Sequence, residues 1–509
     1  MLLKLEGAGP LYTRVYATLR RQIVEGRFAA GKRLPGTRTV ADALGVSRTV
    51  VLHAYAQLEA EGYTATRVGS GTYVVDAVPV TERLAPAYAE GNPGRATVEA
   101  EEARPPEVPT SRLAGRVHGA PPTDLPRELL DDVVGIVNLT DGAVSYDVRG
   151  LKAWRQVLTQ AMDSLPTDPP EVAGARPLRE ALLDYLLRER GVVTNIDDVF
   201  IVNSAQQARD LIARVLADEG TVVGVEDPCH PGVRRAFGAL GARVEACALD
   251  GDGLDITAQA QVLVNARVLH VAPTCHLPTG ATLSQARREA LLAWAYAQPA
   301  WIVEEDVDCD HRHGVRTLPS LASMDRHERV IYYMSGFAHT VYPAMEMSCV
   351  VVPSALRDKF HALKALSDRD GLALRQYAWA NYVAAGEYRR SQRRLTQQLL
   401  RKHEMLVEAL QQALGTDIRI EGKAVAGQVL AHLPSLDAAW MSLLREEALR
   451  LGLLLQSAED WYCHRPDHVV LLLHYAAVPE AMLVPAAQRL ALAYRHVQAD
   501  VGRSQRRRA

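Results

Sequence analysis

Between Val78 and Pro126 the chain carries nine of its 27 prolines and few periodic apolar residues, and that stretch constrains everything on either side of it. Proline fixes φ and removes a backbone donor, so the segment reads as a linker between separately folded parts. At 509 residues the chain is also too long for one ordinary core. The two sides differ in pattern. Before the linker, a short helical module ends in two short strands. After it, apolar runs such as Val199 to Val202, Thr221 to Val225, Val268 to Ala272, Trp301 to Val303 and Cys349 to Val352 alternate with amphipathic helices. That alternation predicts an α/β body, a mostly parallel sheet covered by helices. From Ile418 to Arg495, shorter runs (Val429 to His432, Val469 to His474) mixed with helices predict a small α+β subdomain. The expected division is therefore 1–77, a linker 78–126, a body 127–500 and a solvated basic tail 501–509.

Charge follows the same division. Residues 1–75 hold ten Lys/Arg against five Asp/Glu, a balance of +5 in a chain whose net charge is −3, so the remainder carries −8. A basic module on an acidic body suggests nucleic-acid contact at one end only. No apolar run reaches the ~18 residues of a membrane span. The first six residues, Met1 to Glu6, lack a signal-peptide core, so a cytoplasmic protein is expected. Six cysteines with no Cys-x-x-Cys spacing give neither a zinc ribbon nor a disulfide scaffold. Buried structural thiols are the expectation for them, with a redox sensor as the alternative.

In the basic module, Val15, Leu19 and Ile23 fall on one face of a helix from Leu11 to Gly26. Thr37 is placed to cap a second helix, Arg38 to Leu44, that stops at Gly45, and Ser47 to cap a third, Arg48 to Glu61. Two helices joined by Leu44-Gly-Val-Ser47 make a helix-turn-helix, whose recognition helix starts at Arg48 and Thr49, where base edges are reached. Arg67 to Val74 then reads as a Gly-containing hairpin, a wing. Pro10-Leu-Tyr12, Gly31-Lys-Arg-Leu-Pro35, Leu44-Gly-Val-Ser-Arg-Thr-Val50, Tyr55-x-x-Leu-x-x-Glu-Gly-Tyr63 and Gly69-Ser-Gly-Thr-Tyr-Val74 together resemble the GntR-type winged helix. The resemblance implies that Arg38, Arg48 and Thr49, with Ser47, contact double-stranded operator DNA. It also implies that Gly69 and Gly71 let the wing backbone approach a phosphate, and that Arg33 and Arg67 add phosphate contacts.

The body carries, in order, Pro177-Leu-Arg-Glu-Ala181, Val202-Asn-Ser-Ala-Gln-Gln207, Val225-Glu-Asp-Pro228, Ala272-Pro273 to Pro278-Thr-Gly280, Val303-Glu-Glu-Asp306 and Phe337-x-x-Thr340-x-x-Pro343. It resembles a fold type I aminotransferase, as found in MocR regulators of the GntR family. The resemblance implies pyridoxal phosphate as the family's cofactor, but the matching positions depart from the pattern. His339 stands where the Schiff-base lysine is expected, and imidazole cannot form that aldimine. Glu305 replaces the aspartate facing the pyridine nitrogen, Val307 replaces a tyrosine, and His230 occupies the aromatic position over the ring. In the phosphate cup Ala338, Gly336 and Glu346 replace a serine, a threonine and an arginine; the last reverses charge against a phosphate. Ser204, Ala205 and Gln206 keep a possible backbone cradle. The strand Val469 to His474 lacks the arginine that a transaminase uses for its substrate carboxylate.

These departures predict a regulator whose body dimerises and senses a small effector, and not a working transaminase. The resemblance implies a homodimer with each winged helix against the partner's body and two operator half-sites. Four alternatives stay open: a pyridoxal phosphate-dependent aminotransferase-like enzyme, a regulator responsive to that cofactor, a metal- or redox-responsive regulator, and a DNA-binding protein whose body only dimerises. The metal reading uses His230, His276, Glu305 and His339, all projecting into the former cofactor pocket, as ligands for a transition metal. Asp306 to His311 lacks the glycine and late glutamate of a calcium loop and is set aside.

Overall fold

The structure, a computed structural model, describes residues 10–67, 70–75, 111–117, 135–140, 148–168, 171–307, 318–335, 346–368, 371–422 and 427–508. The chain forms two compact units, Met1–Val108 and Pro109–Ala509. In the first, helices α1 (Leu11–Val24), α2 (Thr37–Leu44) and α3 (Arg48–Ala60) precede the strands β1 (Thr64–Arg67) and β2 (Gly71–Val74). The apolar face of α1 buries Val15, Leu19 and Ile23 against Val40, Val51, Ala54 and Leu58. Gly45 ends α2 at φ 64°, a left-handed conformation that costs glycine no Cβ clash. Ser47 caps α3 as expected, its hydroxyl accepting from Val50 N at 3.5 Å. Thr37 does not cap α2. It is the first helical residue, Gly36 holds the cap position, and Thr37 Oγ1 instead accepts from Arg48 Nε at 3.4 Å. β1 and β2 pair antiparallel with Arg67 opposite Gly71. The approach to α2 runs along β2, with Leu34 N donating to Thr72 O at 2.8 Å and Gly31 N to Val74 O at 2.9 Å.

The second unit is built on an eight-stranded sheet in the order β4-β11-β10-β9-β8-β5-β6-β7. Its strands are β4 (Val199–Val202), β5 (Val222–Asp227), β6 (Arg243–Asp250), β7 (Gly253–Leu254), β8 (Val268–Val271), β9 (Trp301–Val307), β10 (Val330–Ser335) and β11 (Ser348–Val351). β10, β9, β8, β5 and β6 run parallel to one another, while β11 is antiparallel to both β10 and β4, and β7 is antiparallel to β6. Two reversals make β4 run the same way as β10. The two-stranded pair β3 (Val137–Asn138) with β14 (Leu453–Leu454) and the four-stranded antiparallel sheet of β12 (Arg419–Glu421), β13 (Gln428–Asp437), β15 (Gln456–Ser457) and β16 (His468–His474) form the small subdomain. Inside the expected linker, residues Arg112–Arg116 are helical, and Arg116 Nη2 donates to Glu219 Oε1 at 2.8 Å. The expected solvated basic tail 501–509 is helical to Arg508, the end of a helix begun at Glu480. Arginine and glutamine are good helix formers and continue a helix already anchored by buried Leu490, Tyr494 and Val497.

Helices pack both faces of the large sheet, as a parallel sheet requires. On one side Trp154, Trp379 and Tyr382 stack with ring centroids 4.9–5.7 Å apart. Gly174, at φ 105°, precedes the helix Arg176–Arg190 and packs on β4, where an added Cβ would lie 2.6 Å from Ile201 Cβ and 2.8 Å from Gln376 Oε1. That same Gln376 oxygen accepts from Ala175 N at 2.6 Å. Gly174→Ala is therefore expected to destabilise the second unit by about 3 kcal/mol, from backbone strain and overpacking together. A fall in the urea midpoint at unchanged m-value would show it, and an unchanged midpoint would refute it.

Candidate functional site

Two surfaces are candidates, one in each unit. On the first unit, Arg33, Arg38, Ser47, Arg48, Thr49 and Arg67 are all exposed. Arg48 opens α3, and Ser47 orders its first turn. In the hairpin, Arg67 lies over the Tyr73 ring, 4.9 Å from its centroid. Gly71 sits at φ 118°, and a Cβ there would meet Arg33 Nε at 2.5 Å, so a guanidinium packs on the glycine's open face. Gly69 lies outside the described residues.

In the second unit, strands β4, β5, β8 and β9 all finish at one edge of the sheet, the place where open α/β sheets bind ligands. Ser204 follows β4, His230 follows β5, His276 follows β8, and Glu305 and Val307 end β9. His339 lies outside the described residues, as do Gly336 and Ala338. The structure brings the others to one edge, but each already has its own partners.

At the end of β4, Ser204 caps the helix Ala205–Leu216, its hydroxyl accepting from Gln207 N at 3.1 Å. Ala205 N, one of the amides at this helix N-terminus, donates to Glu346 Oε1 at 3.3 Å. A helix N-terminus attracts anions, and here the anion is a carboxylate of the chain itself. Gln206 donates away from the cradle, to Gly232 O at 3.3 Å.

On β9, Glu305 is buried and ion-paired to Arg209 Nη2 at 2.6 Å. Burial pushes its carboxyl up, but the Arg209 guanidinium and His270 outweigh that and hold it at about 2. Arg209 Nε also donates to Tyr333 OH at 3.2 Å, and that hydroxyl lies 2.8 Å from His270 Nε2. Burial lowers His270 to about 4, so the ring is neutral near pH 7.

His276 is also buried and lowered to about 4 by burial, its Nδ1 2.7 Å from Thr279 Oγ1. Its Nε2 is 3.7 Å from Glu226, a carboxyl that burial raises to about 8 although Ala272 N donates to it at 2.8 Å. Histidine and glutamate thus form a neutral pair. The loop bearing His276 is held by Arg288, whose buried guanidinium donates to Pro273 O at 2.7 Å and Pro319 O at 2.9 Å. His230 caps the helix Pro231–Ala239, Nδ1 accepting from Gly232 N at 3.0 Å, and meets the Trp461 ring edge-on at 5.2 Å. Val307 is buried.

Among the described residues no group of three or more His, Cys, Asp and Glu is placed to hold a metal ion. The set His230, His276 and Glu305 is therefore not gathered as the sequence suggested, because each points to a different protein partner. The sequence reading missed Arg209, His270, Tyr333, Glu226 and Trp461. Arg209 was findable: it stands four residues after Ala205, on the same face of a helix that starts at the pocket.

The Glu226 carboxyl keeps its proton to about 8 in the folded chain but releases it near 4.5 when unfolded. The folded state thus binds more protons over that window, and this group's contribution to stability falls as pH rises from about 4.5 to about 8. Glu226→Gln keeps the acceptor for Ala272 N and removes the titration. Its stability relative to wild type is expected to improve between pH 5 and pH 8.5 in urea unfolding, and a difference independent of pH would contradict the buried acid.

Comparison with known proteins agrees with the two-part architecture. Residues 11–74 match the family described as bacterial regulatory proteins, gntR family, and residues 134–452 match aminotransferase class I and II. The chain is 28% identical over 479 residues to the "Probable rhizopine catabolism regulatory protein MocR" of Rhizobium meliloti, covering 93% of this chain and 92% of that one. It is 28% identical over 407 residues to the HTH-type pyridoxine biosynthesis transcriptional regulator PdxR of Corynebacterium glutamicum, covering 80% of each. Among solved structures, the kynurenine aminotransferase of Pyrococcus horikoshii superposes with a TM-score of 0.68 at 22% identity, over 77% of this chain and 97% of that one. The chain belongs to the aminotransferase class I and II family, joined to a gntR-family domain in the arrangement of MocR-type, DNA-binding transcriptional regulators.

Proposed function

We propose that this regulator binds operator DNA as a homodimer, that its body senses a small effector, and that the body has given up transamination. The observation that carries the reading is the Glu346 carboxylate accepting from Ala205 N at the helix N-terminus. A cofactor phosphate would need that amide, and it would meet a negative charge beside it. The second carboxylate, Glu305, spends its charge on Arg209 at 2.6 Å and stands in a network with Tyr333 and His270. The described residues therefore do not fit pyridoxal phosphate, and His339 offers no amine for a covalent link. The ligand chemistry that suits this edge is a small neutral or zwitterionic molecule with donors for Glu346 and an apolar or aromatic part for Trp461.

On the DNA side, Arg38, Arg48 and Thr49 are assigned to base edges and Arg33, Arg67 and the wing backbone at Gly69 and Gly71 to phosphates. The excess of positive charge in residues 1–75 supports this, as does a surface on which the four arginines are exposed together with Thr49. A cytoplasmic location follows from that role; no described helix is long and apolar enough to cross a membrane. Two heads on a dimer fit two half-sites, and an effector that changed their spacing would change operator affinity.

Absorption spectra with and without added pyridoxal phosphate, followed by borohydride reduction and mass spectrometry, test the pocket. No aldimine band and no reduced adduct are expected, and a covalent adduct on any lysine would overturn the reading. DNA selected from a random pool by the full chain tests the other surface. Arg48→Ala is expected to cost about 1–3 kcal/mol in binding and relax one base position, whereas Arg33→Ala weakens all sequences alike and lowers the salt slope by about one. Equal, sequence-blind losses in both would refute the assignment of Arg48 to a base.

A further inference from the structure

Five cysteines of the described chain are in no disulfide, and two of them, Cys229 and Cys463, belong to one packed region. Cys229 follows β5 at the pocket edge, and Cys463 lies in the segment between β15 and β16 of the small subdomain. Cys463 packs against the buried cluster that contains Cys229. The backbones are tied together at the same point. Cys229 N donates to Trp461 O at 2.8 Å, Cys463 N donates to Asp227 Oδ1 at 2.7 Å, and His464 N donates to Asp227 Oδ2 at 3.2 Å. Cys229 is 4% exposed, whereas Cys463 is only half-buried and open to a small reagent. Cys247, Cys275 and Cys349 are each buried.

We propose that Cys229 and Cys463 form a reversible disulfide in response to hydrogen peroxide, with Cys463 as the attacking thiol and Cys229 as the resolving one. The Cys463 sulfur attacks one peroxide oxygen, the O–O bond breaks, and the departing hydroxide takes up the Cys463 proton as water. This leaves a sulfenic acid on Cys463. The Cys229 sulfur then attacks the Cys463 sulfur; the S–S bond forms as the S–O bond breaks, and the second hydroxide leaves as water with the Cys229 proton. Two thiols are oxidised by two electrons, and one peroxide is reduced to two waters. The roles follow from the surroundings. The hydrogen bond from Cys229, with Arg234 and His464 nearby, holds the Cys463 thiol down at about 7, and the same contact with burial pushes Cys229 up. The backbone ties hold the two segments against each other, as a disulfide between them requires. The bond would fasten the Trp461–His464 segment of the small subdomain to the end of β5, beside the contact of His230 with Trp461.

The linkage is read by chemistry alone, so it stands or falls separately from what the pocket binds. Reduced full-length protein is treated with near-stoichiometric hydrogen peroxide, titrated for free thiols, and digested without reductant for mass spectrometry. Loss of two of the six thiols, a peptide joining Cys229 to Cys463, and recovery with dithiothreitol are expected. In Cys229→Ser, Cys463 should accumulate as a sulfenic acid trapped by dimedone with no linked peptide. Wild-type protein that keeps all its thiols, links Cys463 to another cysteine, or loses thiols without any linked peptide would overturn the proposal, whether or not the variant folds.

Discussion

The edge at which β4, β5, β8 and β9 end together is the constraint from which the rest of the second unit follows. Parallel strands hand their chains over at the same side of the sheet, so Ser204, His230, His276 and Glu305 are neighbours although a hundred residues separate the first from the last. A helix leaves the same edge after β4 and presents unpaired amides there. Any chain with this topology has an anion site and a cluster of side chains at that edge before any chemistry is chosen. What distinguishes this one is how those groups are satisfied.

They are satisfied internally. A carboxylate answers the helix N-terminus, a guanidinium answers the buried Glu305, and two buried imidazoles stay neutral beside a carboxyl and a phenol. Leaving any of these groups without a partner would cost more than the partnership itself contributes. The edge therefore has the form of a largely internal polar network, with His276 Nε2 left without a hydrogen bond among the described residues, and an arriving ligand must otherwise replace bonds already made.

Much of the fold was legible in the sequence because its signals are local. Val15, Leu19 and Ile23 mark a helix face, Ser47 marks a helix start, and runs such as Val199 to Val202 mark fully buried strands. The order of short motifs identified the body. Pairings across long separations were less legible. Nothing in sequence spacing joins Arg209 to Glu305, Cys229 to Cys463, or His230 to Trp461, because those contacts arise from sheet order. Thr37 failed as a cap for a different reason: Gly36 already supplies the extended backbone that precedes α2, and the hydroxyl is drawn to Arg48. Of the proposed metal set, the three described members share an edge, but each meets a different protein partner.

The carboxylate at the helix N-terminus also bears on what one substitution can do at this edge. An anion brought to the amide of Ala205 has to displace Glu346, and a base brought to Glu305 has to displace Arg209. Each exchange opens a bond already made, and neither relieves the other. Changes in the chemistry of this edge therefore come in sets and not one residue at a time.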